Sequence, residues 1–176
     1  MQFILREVAM VGNTLYVLDT TALIYYKHFQ GENVTTNSVL CEVKDQYEEM
    51  IVGALVSGGV IKILSPPDEY IKRASDIAQK TGDLPVLSDT DIDIIALALH
   101  LRDKGKEVVV VTDDYAIQNI LKRLGIKYYS LTRKIRYVAK WKLVCSKCGK
   151  EYPISAGKKI KECIICGGEI IRKRIH

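Results

Sequence analysis

The chain has 176 residues, 48% of them hydrophobic and 27% charged, which suits a globular protein of one ordinary domain plus a small module. No apolar run approaches the ~18 residues of a membrane span, and the first twenty residues lack a basic stretch followed by an unbroken apolar core, so a transmembrane or secretory segment is not expected and a cytoplasmic location is. The net charge of +5 conceals a division: residues 133–176 hold 13 Lys and Arg against Glu151, Glu162 and Glu169, a balance of +10, and the rest of the chain carries −5. A basic end on an acidic body points to a polyanionic partner, against the plainer reading of a solvated basic tail.

In chain order, TLYVLD (14–19) reads as a short apolar strand and TTALIYYKHF (20–29) as a helix capped by Thr20 or Thr21. VTTNSV leads into a helix running to about residue 56, with Val39, Val43, Tyr47, Met50 and Ile51 on one face. Gly58-Gly59 stops that helix and VIKILS (60–65) is the next strand. Pro66-Pro67-Asp68 opens a helix that ends near Gly82; GDLPV is a loop. Ser88 starts DTDIDIIALALHLRDKG, a helix apolar on nearly every side and therefore buried. VVVVT is a buried strand, YAIQNILKRLG a helix, and IKYYSL a final strand. Strands alternating with helices predict an α/β fold, a mainly parallel sheet of about five strands covered on both faces. We place this body at 1–132, a basic linker or domain edge at 133–142, and a second small unit at 143–176.

That second unit carries CSKC (145–148) and CIIC (163–166), with Gly149 and Gly167-Gly168 following the two pairs. Each Cys-x2-Cys turn aims two thiolates at one point, and the glycines let backbone amides fold towards the sulfurs. Cys145, Cys148, Cys163 and Cys166 thus form a closed structural zinc site, favoured over two disulfides in a reducing compartment. Short strands at WKLV, around Tyr152 and at EIIRKR suggest a zinc ribbon stabilised largely by its metal. Arg136, Lys140, Trp141, Lys142, Lys147, Lys158, Lys159, Arg172, Lys173 and Arg174 are candidates for RNA contact by phosphate pairing and base stacking, although Trp141 and Tyr152 equally suit the ribbon's own core. Cys41 reads as a small buried or half-buried residue, not a fifth ligand.

In the body, acids stand where α/β sheets bind ligands, beyond the carboxyl ends of strands. Asp19 ends the first strand and the adjacent Asp113 and Asp114 end the valine strand; Glu42 lies in the second helix and Asp91 in the first turn of the buried one. Asp93 points about 200° away from Asp91 and does not readily share its site. Taken singly, each acid also suits a structural role, with Asp19 as a helix cap, Asp91 in a capping box with Ser88, and Asp113 or Asp114 as a cap for the helix after them. Acids converging together would need a cation between them, and oxygen donors select Mg2+ or Mn2+. Metal-assisted phosphodiester hydrolysis follows from such a site. No Walker loop and no GxGxxG follow the strands, and Thr21 stands where an aspartyl-phosphate mechanism would want a second acid.

VLDTTALI, SVLCEVKD, LSDTDIDIIALAL and VVVVTDDYAIQN, in that order and followed by the CSKC…CIIC ribbon, resemble the Nob-type PIN-domain endoribonucleases. The resemblance covers most of residues 14–130 and adds the ribbon. It implies a parallel sheet between helices, divalent-metal catalysis, and cleavage of precursor small-subunit ribosomal RNA at its 3′ end. The implied partners are that RNA, the small ribosomal subunit and assembly-factor proteins. Carried over by motif, Asp19, Glu42, Asp91 and Asp114 are the catalytic acids, with Asp113 adjacent as a substitute for the last. Asp93 is a helper or a surface acid, Thr20 and Thr112 orient carboxylates, and Asn119 falls in a motif without an evident role. The alternative is a PIN-fold RNA-binding assembly factor that no longer cuts.

Overall fold

The computed structural model describes residues 14–26, 29–131, 140–154 and 160–175. The strands β1 (Thr14–Leu18), β2 (Glu32–Thr35), β3 (Ile61–Ile63), β4 (Glu107–Val111) and β5 (Lys127–Tyr129) form a sheet in the order β3-β2-β1-β4-β5. Every pairing in it is parallel. Successive strands run outwards from β1 on one side and from β4 on the other. The β1–β4 seam is therefore the topological switch, where a crevice opens beyond the carboxyl ends. β1 is buried along its whole length and β4 from Val108 onward. Side chains alternate across a strand, so burial of successive residues means both faces are covered.

The helices are α1 (Thr20–Ile24), α2 (Asn37–Glu42), α3 (Gln46–Ser57), α4 (Asp68–Thr81), α5 (Asp89–Asp103) and α6 (Tyr115–Leu124), with a 3-10 turn at Leu84–Val86. The expected burial of α5 holds: Ile92, Ile94, Ile95, Leu97, Leu99 and Leu101 are all in the core. The helix packs against α4, α6, α2 and the sheet, which buries Ile94 to Leu99 without a break and leaves Asp89 and Asp103 at its ends exposed. Gly82 and Gly125 end α4 and α6 in the left-handed conformation that glycine adopts without strain.

Three sequence expectations are corrected. The helix after β1 stops at Ile24 instead of reaching residue 29, and its cap is Asp19, not Thr20 or Thr21. The single long helix expected up to residue 56 is two, because Val43 is extended and the Asp45 carboxylate accepts from the amides of Tyr47 and Glu48, starting α3 afresh. That local hydrogen bonding competes with helix continuation, so Val39 and Val43 stay buried while Tyr47, Met50 and Ile51 face solvent. Cys41 is exposed, not buried.

The basic end forms a separate antiparallel sheet, β7-β6-β8, from β6 (Lys140–Cys145), β7 (Glu151–Tyr152) and β8 (Ile170–Ile175). The α/β body with a four-cysteine ribbon is the architecture expected.

Candidate active site

Asp19 follows β1 at the switch point, and its amide donates to Val111 O at the end of β4 (3.1 Å), which holds the two strand ends together. Both carboxylate oxygens are engaged: Oδ1 accepts from the Thr20 amide (2.6 Å) and Oδ2 from the Thr112 hydroxyl (2.6 Å). Thr112 Oγ1 in turn accepts from the Asp114 amide (3.0 Å), so one hydroxyl joins the first acid to the backbone of the last. Thr20 Oγ1 donates to Glu42 Oε2 (2.6 Å), which brings the carboxyl end of α2 over the same crevice. Asp91 sits in the first turn of α5, in a reciprocal capping box: Ser88 Oγ accepts from its amide and its Oδ2 accepts from the Ser88 amide.

Burial pushes the Asp19 carboxyl up from 3.8 to about 6, against the hydrogen bonds from Thr112 and Thr20, and the charges of Asp91 and Asp114 push it the same way. Asp91 is raised too, first by burial, with the charges of Asp114 and Glu42 adding to it against its Ser88 hydrogen bonds. Asp19, Glu42, Asp91 and Asp114 thus form one repelling cluster. Among the described residues, the four cysteines are the one group of three or more metal-ligating side chains drawn together closely enough to hold an ion as they stand, so the acids converge more loosely than the four thiols do.

Structural and site roles coincide here. Asp19 caps α1, Asp91 caps α5, and Asp114 Oδ1 caps α6 by accepting from Ala116 and Ile117. Asp113 turns the other way, its Oδ1 accepting from Ser130 Oγ at the end of β5 (2.6 Å). Asp93 Oδ2 accepts from Ser38 Oγ (2.6 Å), joining α5 to the start of α2. Asn119 is buried, and its Nδ2 donates to Asp83 Oδ2 (2.7 Å).

In the ribbon, all four Sγ atoms lie within 4.8 Å of one another, with Cys145–Cys166 at 3.4 Å and Cys148–Cys163 at 3.5 Å. A disulfide would bring sulfurs to ~2.05 Å, and all the cysteines are free. A tetrahedral ion with Zn–S near ~2.3 Å fits this spacing. The amides of Lys147 and Cys148 donate to Cys145 Sγ. At Gly168 a Cβ would stand 2.8 Å from that sulfur, so the knuckle requires glycine there. Tyr152, 8% exposed, donates its hydroxyl to Cys163 Sγ (3.0 Å) and lowers that thiol to about 6. A phenol placed to support a metal ligand left no signal in the sequence beyond its position between the cysteine pairs.

Strand register sorts the basic residues. β6 and β8 pair Leu143 with Arg172 and Lys142 with Lys173, and directly opposed residues share a face. On one face Arg172 and Leu143 turn towards the body: Arg172 binds Asp83 (2.6 Å) and lies 3.8 Å over the Trp141 ring. Arg172 and Trp141, read from the sequence as RNA contacts, are therefore committed to each other and to the body. Lys142 and Lys173 take the opposite face; Lys142 pairs there with Glu151, and Lys173 and Lys147 are exposed. Arg136, Lys158 and Lys159 lie outside the described residues, as do the side chains of Lys140 and Arg174.

A family profile described as the PIN domain of ribonuclease matches residues 16–101, from β1 to the last turn of α5. Endoribonuclease Nob1 of Methanothermobacter thermautotrophicus is 42% identical over 160 residues, 90% of this chain and 92% of that protein. The chain belongs to the Nob1 family of PIN-domain endoribonucleases. Similarity extends to Ribonuclease VapC1 of Thermoplasma acidophilum, 33% identical over 172 residues, 96% of this chain and 83% of that one. It reaches the 20S-pre-rRNA D-site endonuclease NOB1 of Saccharomyces cerevisiae in part only, at 33% over 93 residues, half of this chain and 20% of that protein. Membership of the Nob1 family makes the chain an endoribonuclease with RNA as its substrate, built on a fold whose nucleases require divalent metal. Among the described residues, no helix is long and apolar enough to cross a membrane.

Proposed function

We propose that this Nob1-family chain cleaves precursor small-subunit ribosomal RNA to generate its 3′ end, with Asp19, Glu42, Asp91 and Asp114 as the catalytic acids. One observation carries the site assignment: four acids from separate elements, Asp19 buried, Asp91 half-buried and Glu42 and Asp114 exposed, repel one another beyond the carboxyl ends of β1 and β4. The oxygen-only donor set fits Mg2+ or Mn2+. When bound, such a cation makes a water easier to deprotonate and offsets charge on the phosphate. The chain's own part is positional. Thr112 fixes Asp19 and ties it to Asp114, and Thr20 holds Glu42. Asp113 and Asp93, engaged by Ser130 and Ser38, stand apart as supports. The four cysteines hold one structural zinc, and the outward face with Lys142, Lys147 and Lys173 meets the RNA backbone. The small ribosomal subunit and its assembly proteins are the proposed partners, in the cytoplasm.

The test is cleavage of an RNA spanning the mature 3′ end and its extension, with Mn2+, Mg2+ or EDTA, by wild type and Asp19→Asn. Metal-dependent cutting at the mature end, lost in Asp19→Asn while RNA binding persists, is the expected result. Equal binding with no cutting under either metal would favour a non-catalytic assembly factor.

A further inference from the structure

The ribbon's contact with the body is a built junction. Asp83, 2% exposed, offers one carboxylate oxygen to Asn119 of α6 and the other to Arg172 of β8. The Arg172 side chain is 16% exposed, and its guanidinium binds Asp83 while lying over the Trp141 ring. Gly82 beside it has φ 78°, and a Cβ there would stand 2.3 Å from Cγ1 of Ile154 in the ribbon. Gly82, Leu84, Pro85, Leu143, Ile154 and Arg172 together line the seam between the two units. A buried ion pair that loses one partner leaves an uncompensated charge, so this junction resists partial opening.

Both elements that Asp83 and Asn119 belong to lead directly to the acids. Asn119 lies on α6, whose cap is Asp114; Asp83 precedes the turn that delivers Ser88 and Asp91. On the ribbon side, Arg172 neighbours Lys173, which faces outward from the same strand. A few covalent and hydrogen-bonded steps therefore connect the face that meets RNA to the crevice where the phosphodiester is cut. We propose that the Asn119–Asp83–Arg172 bridge is a specificity determinant: it locks the ribbon at one distance and angle from the carboxylates and so sets which bond is cleaved. These are positioning residues, and they act on the choice of bond, not on the chemical step. The inference rests on the site and ribbon assignments made above. A tethered ribbon would raise the local concentration of RNA without selecting a position; a locked one selects the position as well.

The experiment uses the full chain, wild type, Asp83→Ala and Asp83→Asn, each checked for one zinc per chain. The Asn variant keeps a partner for Asn119 while removing the charge that Arg172 needs, and serves if the Ala variant does not fold. On end-labelled precursor RNA, wild type gives a single cut and the variants spread cutting over several neighbouring bonds. On a short unstructured oligonucleotide, their total rate stays within about twofold of wild type. In 15N relaxation, body and ribbon of wild type share one rotational correlation time, and those of Asp83→Ala do not. An unchanged single cut in the variants, dispersed cutting by wild type, or a matching loss of oligonucleotide hydrolysis each overturns the proposal. If wild type cuts nothing, the nuclease assignment and the bond-setting role both fail, and relaxation alone reports whether the lock exists.

Discussion

Both oxygens of Asp19 are held by neighbours before any cation arrives, and the carboxyl is nonetheless raised to about 6 by burial and by the acids around it. A carboxyl whose pKa rises on folding binds its proton more tightly in the folded chain. Its contribution to stability is intact below the unfolded value of 3.8 and is lost as the pH climbs through about 6. In chelator at neutral pH, Asp19→Asn is therefore expected to be more stable than wild type, by on the order of 2 kcal/mol, with the difference vanishing in acid. Thermal melts across that pH range, with the ribbon's zinc content held equal, measure it; a less stable Asn variant at neutral pH would contradict the assigned burial. If Asp19 is one of the metal-holding acids as proposed, adding Mn2+ should reverse the ranking, because the cation would stabilise only the chain with the full acid set. Thr112→Val removes the hydroxyl that joins Asp19 to Asp114, and Thr112→Ser keeps it. Single-turnover cleavage should fall about 10- to 100-fold in the first and little in the second; equal rates would show that the hydroxyl has no part in positioning.

Among the elements, the break between α2 and α3 has the clearest energetic signature. Asp45 Oδ1 accepts from two amides that no helical carbonyl can serve. Asp45→Ala should lower stability by about 1 kcal/mol in denaturant melts and leave cleavage untouched, since Glu42 is held from Thr20 and its helix is anchored through Ser38 to Asp93. The same break shows what the sequence could and could not disclose. Strand–helix alternation, the buried α5 and the glycine stops were legible because each is a short-range pattern of apolar spacing or backbone freedom. The helical wheel failed at Val43 because it presumes an unbroken helix, and one capping side chain is enough to end that. Asp19, Asp91 and Asp114 were legible as candidates because strand ends and helix starts are recognisable locally. Glu42 was legible only as an acid of the second helix, and resemblance to a family motif set it apart from the other helical acids, because its tie to Thr20 spans 22 residues. Nothing local marks Asn119 or Arg172: their partner Asp83 is 36 residues from one and 89 from the other.

For the whole molecule, the charge division becomes a division of binding labour. On the proposed assignment, the acidic cluster would repel RNA until a cation occupied it, whereas the ribbon's exposed lysines would attract the backbone without one. RNA affinity in chelator should then depend steeply on salt and survive Asp19→Asn. Loss of the proposed zinc would have the opposite character, because among the described residues the ribbon's core is Leu143, Tyr152 and two buried cysteines, with Ile154, Ile160 and Ile170 packed on it. With the proposed zinc in the four-cysteine site, titrating the thiolates with a mercurial should release one zinc per chain and unfold the ribbon, while the body's helical circular dichroism persists. A body that melts together with the ribbon would mean that the two do not fold independently.

Along β6 and β8, one residue of register separates the face turned to the body from the face turned to solvent. A slip of β8 by a single position would withdraw Arg172 from Asp83 and present Ile171 or Lys173 in its place, an apolar chain or a shorter-reaching cation where a planar fork is needed. Lys142 and Lys173, on the other face, are thus free to vary without disturbing that contact, while length between Gly168 and Arg172 is not. Insertions and deletions in that segment should be far less tolerated than substitutions on its outer face, which makes chain length, more than composition, the heritable constraint on this end of the protein.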